Sequence, residues 1–253
     1  MVRKRPVQPV IASHMAPEAS TMPANRPVIS SIIPTLNEAQ SLTATLKSAQ
    51  ATVDVETIVV DGGSSDETAE LARTFAATLL VVAGGRAKQL NAGARAATGD
   101  VLLFLHGDTR LPERFAEHVL NLLATPGTVA GAFKLGIDGT AIGLRVVEKL
   151  ANFRSRLFQM PYGDQAIFTR SDLFHSIGGF PDMPIMEDFV FVRRLKKEGR
   201  IALAPVAVTT SSRRWLKVGI LKTTLINQVV LLAYFLGSDP KQLARWYRRQ
   251  RGL

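Results

Sequence analysis

Four polar strings follow directly after apolar runs in the first 110 residues: PTLNE (34–38), DGGSSDET (61–68), GGRAKQ (84–89) and HGDT (106–109). They carry carboxylates at Glu38, Asp61 and Asp108, amides at Asn37 and Gln89, a guanidinium at Arg86 and an imidazole at His106. An ionised carboxylate only accepts hydrogen bonds, so Asp61 suits the donor edge of a base or a ribose, whereas Asn37 can both donate and accept. Two strings in the second half add to the set. EDFVFVRRL (187–195) puts Glu187 and Asp188 ahead of a segment with apolar residues at helical spacing, and the glycine- and proline-rich GGFPDMPIM before it reads as a loop. VTTSSRRW (208–215) ends in two guanidiniums beside an indole, a pairing suited to diphosphate oxygens and a stacked ring.

Each string has a plainer reading. Ser64 and Glu67 fit the S-x-x-E capping box, with Gly62 and Gly63 merely making the turn. Glu187 and Asp188 would favour a helix N-terminus through the macrodipole, and Trp215 could be a core residue. Neither glycine cluster matches G-x-G-x-x-G or G-x-x-x-x-G-K-[ST], which leaves dinucleotide and P-loop sites unsupported.

The elements that must position these groups alternate regularly. Apolar runs at 28–33, 57–60, 79–83 and 101–105 are separated by helical segments at 39–50, 66–77 and 86–97. This pattern predicts a parallel sheet buried on both faces, with ligands gathering outside the carboxyl ends of its strands, where the four strings lie. The second half adds helical patterns at 113–123 and about 140–158 around the apolar run 129–135, and no internal repeat occurs.

The chain has 253 residues, 46% apolar, enough for an ordinary core. It has no cysteine, which excludes disulfides, thiolate metal sites and a cysteine nucleophile, and suits a reducing, cytoplasmic setting. Residues 1–27 are expected to be a disordered leader. The net charge of +10 is concentrated at one end, with 14 Lys and Arg against Glu198 and Asp239 over residues 193–253. Beside the apolar stretch 218–237, that tail suits an anionic membrane surface or phosphorylated ligands, and equally a packed helix followed by a solvated basic end. No nucleic-acid recognition signature is present.

Taken in order, SIIPTLNE, VVDGGSSDET, the acid after VLLFLHGD and an ED pair followed by RRL resemble the family 2 glycosyltransferases over roughly residues 28–216. GRAKQLNAGA, FLHGDTRLP, YGDQAIF and SSRRW are most similar to the bacterial branch labelled arsenosugar-biosynthesis-type glycosyltransferases. The resemblance implies an α/β GT-A nucleotide-diphospho-sugar transferase fold, a mainly parallel sheet flanked by helices in a Rossmann-like three-layer sandwich. It further implies a nucleotide-sugar-binding half (28–110), an acceptor and catalytic half (111–216), and a C-terminal apolar helix with basic tail (217–253).

By position, the resemblance assigns Pro34, Thr35, Asn37 and Glu38 to holding the nucleotide, and Asp61 with Gly62 to the base. Arg86 and Gln89 would approach nucleotide and sugar. His106, Gly107 and Asp108 occupy the place of the family's D-x-D element, with Asp108 binding a divalent cation, Mn²⁺ or Mg²⁺. His106 replaces the first acid of that element; an imidazole suits Mn²⁺ better than Mg²⁺, so His106 is expected to support the ligand or touch the sugar. Asp188 would be the catalytic base beside Glu187, Asp164 and Gln165 would line the sugar or acceptor pocket, and Arg213, Arg214 and Trp215 would meet diphosphate or acceptor. The activity implied is inverting, hexosyltransferase-like transfer from a UDP- or GDP-sugar to a hydroxyl acceptor, a lipid-linked one being an option, with the enzyme peripheral on the inner membrane face. The competing expectations are a catalytically silent nucleotide-sugar-binding or membrane-associated protein of the same fold, and a sugar nucleotidyltransferase.

Overall fold

The computed structural model describes residues 29–52, 54–75 and 77–251; the expected leader, 1–27, lies outside them. The first half alternates as its pattern predicts. β1 (Ile29–Thr35), α1 (Ala39–Ala49), β2 (Val55–Asp61), α2 (Thr68–Thr74), β3 (Thr78–Val81), α3 (Arg86–Ala96) and β4 (Val101–Phe104) are followed by the short β5 (Thr109–Arg110) and α4 (Phe115–Leu123). The second half contains β6 (Thr128–Ile137), α5 (Ile142–Phe158), a 3₁₀ turn (Gly163–Gln165), β7 (Ile167–Arg170), α6 (Ser171–Ser176), α7 (Glu187–Glu198) and β8 (Arg200–Thr210). Three helices follow: α8 (Arg213–Val218), α9 (Ile220–Phe235) and α10 (Pro240–Arg251).

The strands form one sheet in the order β3-β2-β1-β4-β7-β6-β8-β5. β3, β2, β1 and β4 are mutually parallel, β7 is antiparallel to both β4 and β6, β8 is parallel to β6, and β5 is antiparallel to β8.

Side chains alternate across a strand, so each strand feeds two cores. Ile29, Ile33, Val59, Leu103 and Phe133 pack on one face with Leu42, Leu46 and Phe115 from α1 and α4. Ile32, Ile58, Val60, Leu102 and Phe104 pack on the other with α3, α6 and α7. The layers are close. A Cβ on Gly93 of α3 would stand 2.5 Å from Ile32 Cγ2 and 3.0 Å from Val60 Cγ2, so the helix rests on the sheet at a glycine.

β6 runs beyond its pairing with β7, which engages Ala130 and Gly131. Buried backbone groups need partners, and here side chains supply them. Asn152 of α5 accepts from Leu135 N at 2.7 Å and donates to Leu135 O at 3.0 Å, and Gln165 Nε2 donates to Phe133 O at 3.0 Å.

Candidate active site

The carboxyl ends of β1 and β2 are joined by polar side chains from the strings flagged in the sequence. Asp61 is buried, with Oδ2 accepting from Gly63 N at 3.0 Å and Ser64 N at 2.8 Å, and Oδ1 from Ser64 Oγ at 2.5 Å and Thr35 Oγ1 at 3.3 Å. Asn37, at φ 55°, receives Ser65 N on its Oδ1 at 2.9 Å while its own N donates to Ser64 Oγ at 2.8 Å. Its amide tolerates the left-handed region better than most side chains. Gln89, buried, donates from Nε2 to Thr35 O at 2.9 Å and Val60 O at 2.8 Å, and Gly62 N donates to Thr35 O at 2.8 Å. Pro34 lies within β1 and pairs in register with Val60. Asp61 and Gln89 therefore shape the loops at the carboxyl ends of β1 and β2 from within.

The expected capping box does not form. α2 begins at Thr68, and Ser64 is drawn to Asp61 and Asn37 instead. Asp66 takes over at this corner, with Oδ1 accepting from Thr68 N at 3.1 Å and Oδ2 from Ala39 N at 3.2 Å, which ties α2 to α1.

Gly107 follows β4 at close quarters, since a Cβ there would meet Glu38 Cγ and Thr35 Cγ2, each at 3.2 Å. Asp108 is partly exposed. Arg213 lies between the acids of the two loops, with Nη2 2.6 Å from Glu38 Oε2 and 3.9 Å from Asp108 Oδ2.

A second cluster forms where the N-termini of α3 and α7 face one another. Met186, at φ 69°, turns the chain into α7 so that Glu187 and Asp188 occupy its first turn. Arg86 Nε donates to the buried Glu187 Oε1 at 2.5 Å, Nη1 lies 3.1 Å from His106 Nε2, and Nη2 lies 3.9 Å from Asp188 Oδ2. Burial works against the Arg86 charge, yet Glu187 and Asp188 outweigh it and hold the guanidinium more firmly protonated than usual. His106 is held well below the usual imidazole range by burial, then by Arg86 and Arg214. Arginine can only donate, so Nε2 of His106 is the acceptor and the ring proton sits on Nδ1.

Asp188 is fixed by two backbone amides: Gly163 N donates to Oδ2 at 2.9 Å and Phe189 N to Oδ1 at 2.7 Å. Glycine at 163 lets these groups approach, because a Cβ would stand 2.9 Å from His106 Nε2 and 3.2 Å from Asp188 Oδ2 and would push them aside. These groups border a cavity of about 350 Å³, whose lining includes Arg86, His106, Tyr162, Asp164, Asp188 and Arg214. Asn227, Val230 and Leu231 of α9 and Ala244, Tyr247 and Arg248 of α10 complete the wall.

Asp164 Oδ1 is buried without a hydrogen-bond partner. Burial shifts this carboxyl toward its protonated form, against the pull of Arg154 and Arg214.

A family model described as glycosyl transferase family 2 matches residues 30–178. The chain belongs to glycosyl transferase family 2. A PGL/p-HBAD biosynthesis glycosyltransferase of Mycobacterium bovis is 36% identical over 171 residues, covering 61% of this chain and 63% of that protein, so the match spans less than two thirds of the relative's length. Among solved structures, a mannosyltransferase from Pyrobaculum calidifontis in complex with GDP-Man and Mn²⁺ has a TM-score of 0.60 at 21% identity, covering 91% of this chain and 74% of that one. Glucosyl-3-phosphoglycerate synthase from Mycobacterium tuberculosis, in complex with Mn²⁺, UDP-Glc and phosphoglyceric acid, has a TM-score of 0.58 at 19% identity, covering 84% and 81%. These likenesses show the GT-A fold.

Among the described residues, no three His, Cys, Asp or Glu converge as a metal site. Mg²⁺-type ions are commonly bound by one or two carboxylates, with substrate phosphates and water completing the shell. The partly exposed Asp108 fits that role, and His106 Nε2 is engaged with Arg86.

Besides Asp61 and Gln89, the flagged Gln165, Trp215 and Glu187 take inward places. Gln165 is fully buried, and its Oε1 accepts from Ser155 Oγ at 2.7 Å and Arg154 Nη2 at 3.3 Å, so Asp164 alone of that pair reaches the cavity. Trp215 is buried with Leu135, Ile137 and Leu144, its Nε1 without a partner, in the core position its plainer reading allowed. Glu187 faces Arg86 from a buried position. Conversely, Tyr162, whose ring lies 3.5 Å beneath the Arg154 guanidinium, lies within YGDQAIF without a role assigned from the sequence, and none was assigned to the individual cavity residues of α9 and α10.

Proposed function

We propose that the protein transfers a sugar from a UDP- or GDP-sugar to a hydroxyl acceptor with inversion at the anomeric carbon, within the branch its motifs resemble. The observation that carries this reading is the single cavity shared by Asp188, Arg86, His106, Asp164 and Arg214. Asp188 Oδ2 takes the proton of the acceptor hydroxyl as that oxygen bonds to the anomeric carbon, and the bond to the nucleoside diphosphate breaks on the opposite side. General-base help of this kind is worth about 10²–10⁴-fold in rate. The amides of Gly163 and Phe189 keep the carboxylate aimed, so little reorientation is needed on reaction. Glu187 acts through Arg86, which it pins beside Asp188 and His106.

Arg213 spans Glu38 and Asp108 at the nucleotide side, and Arg214 faces the cavity, so both can offset charge gained by the departing diphosphate. A divalent cation held by Asp108 would supply further positive charge at that diphosphate. Asn37, Glu38 and the Asp61 turn supply the nucleotide platform.

The test is release of nucleoside diphosphate from a panel of UDP- and GDP-sugars with Mn²⁺, alongside donor binding. Asp188→Asn is expected to lower turnover by about 10²–10⁴-fold with donor affinity little changed. Wild-type turnover in the variant would sink the assignment, and donor binding without any turnover in the wild type would favour the silent, binding-only alternative.

A further inference from the structure

Helix α5 packs inward through Leu144, Val147 and Ala151, against Leu135, Ile137 and Trp215. Its opposite side carries Ile142, Val146, Leu150, Phe153 and Leu157, at the i, i+4, i+8, i+11, i+15 spacing of one helical stripe. Helix α9 repeats the device. Its inner side buries Thr223, Ile226 and Val230 and gives Asn227 and Leu231 to the cavity, while Leu221, Leu225, Val229, Leu232 and Leu236 face outward at the same spacing, the last at its C-terminal cap. The ten stripe residues are between 40% and 87% exposed. The two helices are neighbours, since a Cβ on Gly143 of α5 would meet Ile220 Cδ1 of α9 at 3.1 Å.

Two such stripes exceed the scattered apolar exposure that needs no explanation. Their surroundings are cationic. Lys149 and Arg156 on α5, Lys217 on α8, Lys222 on α9, and Lys241, Arg245, Arg248 and Arg249 on α10 are exposed, whereas these four helices hold one acid, Glu148, paired with Arg145 at 3.1 Å. None of the described helices is long and apolar enough to cross a membrane.

We propose that the outward faces of α5 and α9 form a docking surface that lies in the interface of an anionic lipid bilayer, with Lys217, Lys222, Lys241, Arg245 and Arg249 on the headgroups. Charge complementarity selects this occupant: apolar stripes accompanied by exposed Lys and Arg on their own and adjoining helices are the pattern of helices lying in a membrane plane. α9 then has two roles, its inner side walling the cavity that contains Asp188 and its outer side resting in lipid. The surface goes beyond the transfer reaction and does not depend on it.

The experiment is co-sedimentation of the full chain with vesicles of phosphatidylcholine alone or mixed with phosphatidylglycerol, at low and high salt. Wild type is expected to bind the anionic vesicles at least about tenfold more tightly than the neutral ones, the weight of one or two basic contacts. Leu225→Ser with Leu232→Ser, and separately Phe153→Ser with Leu157→Ser, are each expected to weaken binding by about tenfold or more, since each removes several buried methylene equivalents from the lipid. All four side chains are exposed, so unchanged melting temperature and donor binding report intact folding. Absence of binding to anionic vesicles at low salt overturns the proposal. Binding that both double variants retain also overturns it, because the basic tail alone would then be adsorbing. A concentration-dependent dimer that either double variant dissolves, with no vesicle binding, would assign the face to a second copy of this chain. Nucleoside diphosphate release is not read here, so this outcome and that of the Asp188→Asn test are separable.

Discussion

At the residue scale, the site is a set of charges that hold each other in place. Glu187 would be an isolated buried anion without Arg86, and His106 is kept neutral by burial first and then by the neighbouring Arg86, whose N–H occupies its Nε2, and Arg214. Such networks are costly when incomplete, and Asp164 is the incomplete member, with one buried oxygen unpartnered. A carboxyl whose folded pKa is raised binds more proton folded than unfolded, so its contribution is complete below the unfolded value near 3.8 and is lost as pH rises toward the folded value. One such group contributes a slope of at most about 1.4 kcal/mol per pH unit. Asp164→Asn is therefore expected to unfold at higher urea concentration than wild type at pH 7, with the gap closing toward pH 4. An equal gap at both pH values would remove this account. If Asp164 serves the sugar or acceptor, the same variant loses turnover, the exchange of stability for function that functional sites show.

At the element scale, precision comes from places where helices touch strands without side chains between them. Gly93 sets α3 on β1 and β2, and thereby sets Arg86 and Gln89 at the N-terminal end of that helix. Gly93→Ala is expected to cost about 1–3 kcal/mol through overpacking against Ile32 and Val60. A denaturant midpoint unchanged from wild type would show that the layers can separate freely. Asn91 strengthens the same arrangement by donating to Phe180 O at 2.8 Å and accepting from Phe180 N at 3.0 Å, which anchors the loop leading to α7. From its glycines and prolines that segment reads in the sequence as a loop. Its Phe180 is in fact buried against Phe104, Phe174 and Phe191, with ring centroids 4.8, 5.8 and 4.2 Å away, respectively, so the acid pair follows an anchored segment.

At the scale of the whole molecule, α8, α9 and α10 form a layer attached through few buried side chains: Trp215, Thr223, Ile226, Val230, Leu243 and Ala244. The sheet, by contrast, is buried on both faces by two large cores. Local opening is cheapest where few apolar contacts must break, so amides of α9 and α10 are expected to exchange with solvent well before those of β1, β2 and β4. Hydrogen exchange read by mass spectrometry checks this, and equal protection across the two regions would show that the layer is one cooperative unit with the sheet. Because α9 and α10 wall the cavity, opening of that layer would also open the site.

The sequence by itself determined the parallel half of the sheet and the identity of most groups around the site. Strand and helix periodicities are local, and a parallel sheet places successive polar strings at one edge, so PTLNE, DGGSSDET, GGRAKQ and HGDT could be expected to converge. Tertiary structure decided which of those groups border the cavity and which bond to the backbone of the fold. Asp61 and Gln89 satisfy backbone amides and carbonyls of their own loops, and Gln165 serves β6 beyond the end of β7, demands that arise only once strands of unequal length are paired. The pairing of Arg86 with Glu187 crosses 101 positions, and the closing of the cavity by α9 and α10 joins segments farther apart still. A contact between distant segments leaves no period or spacing in the chain, so only the packing of the layers could place them together.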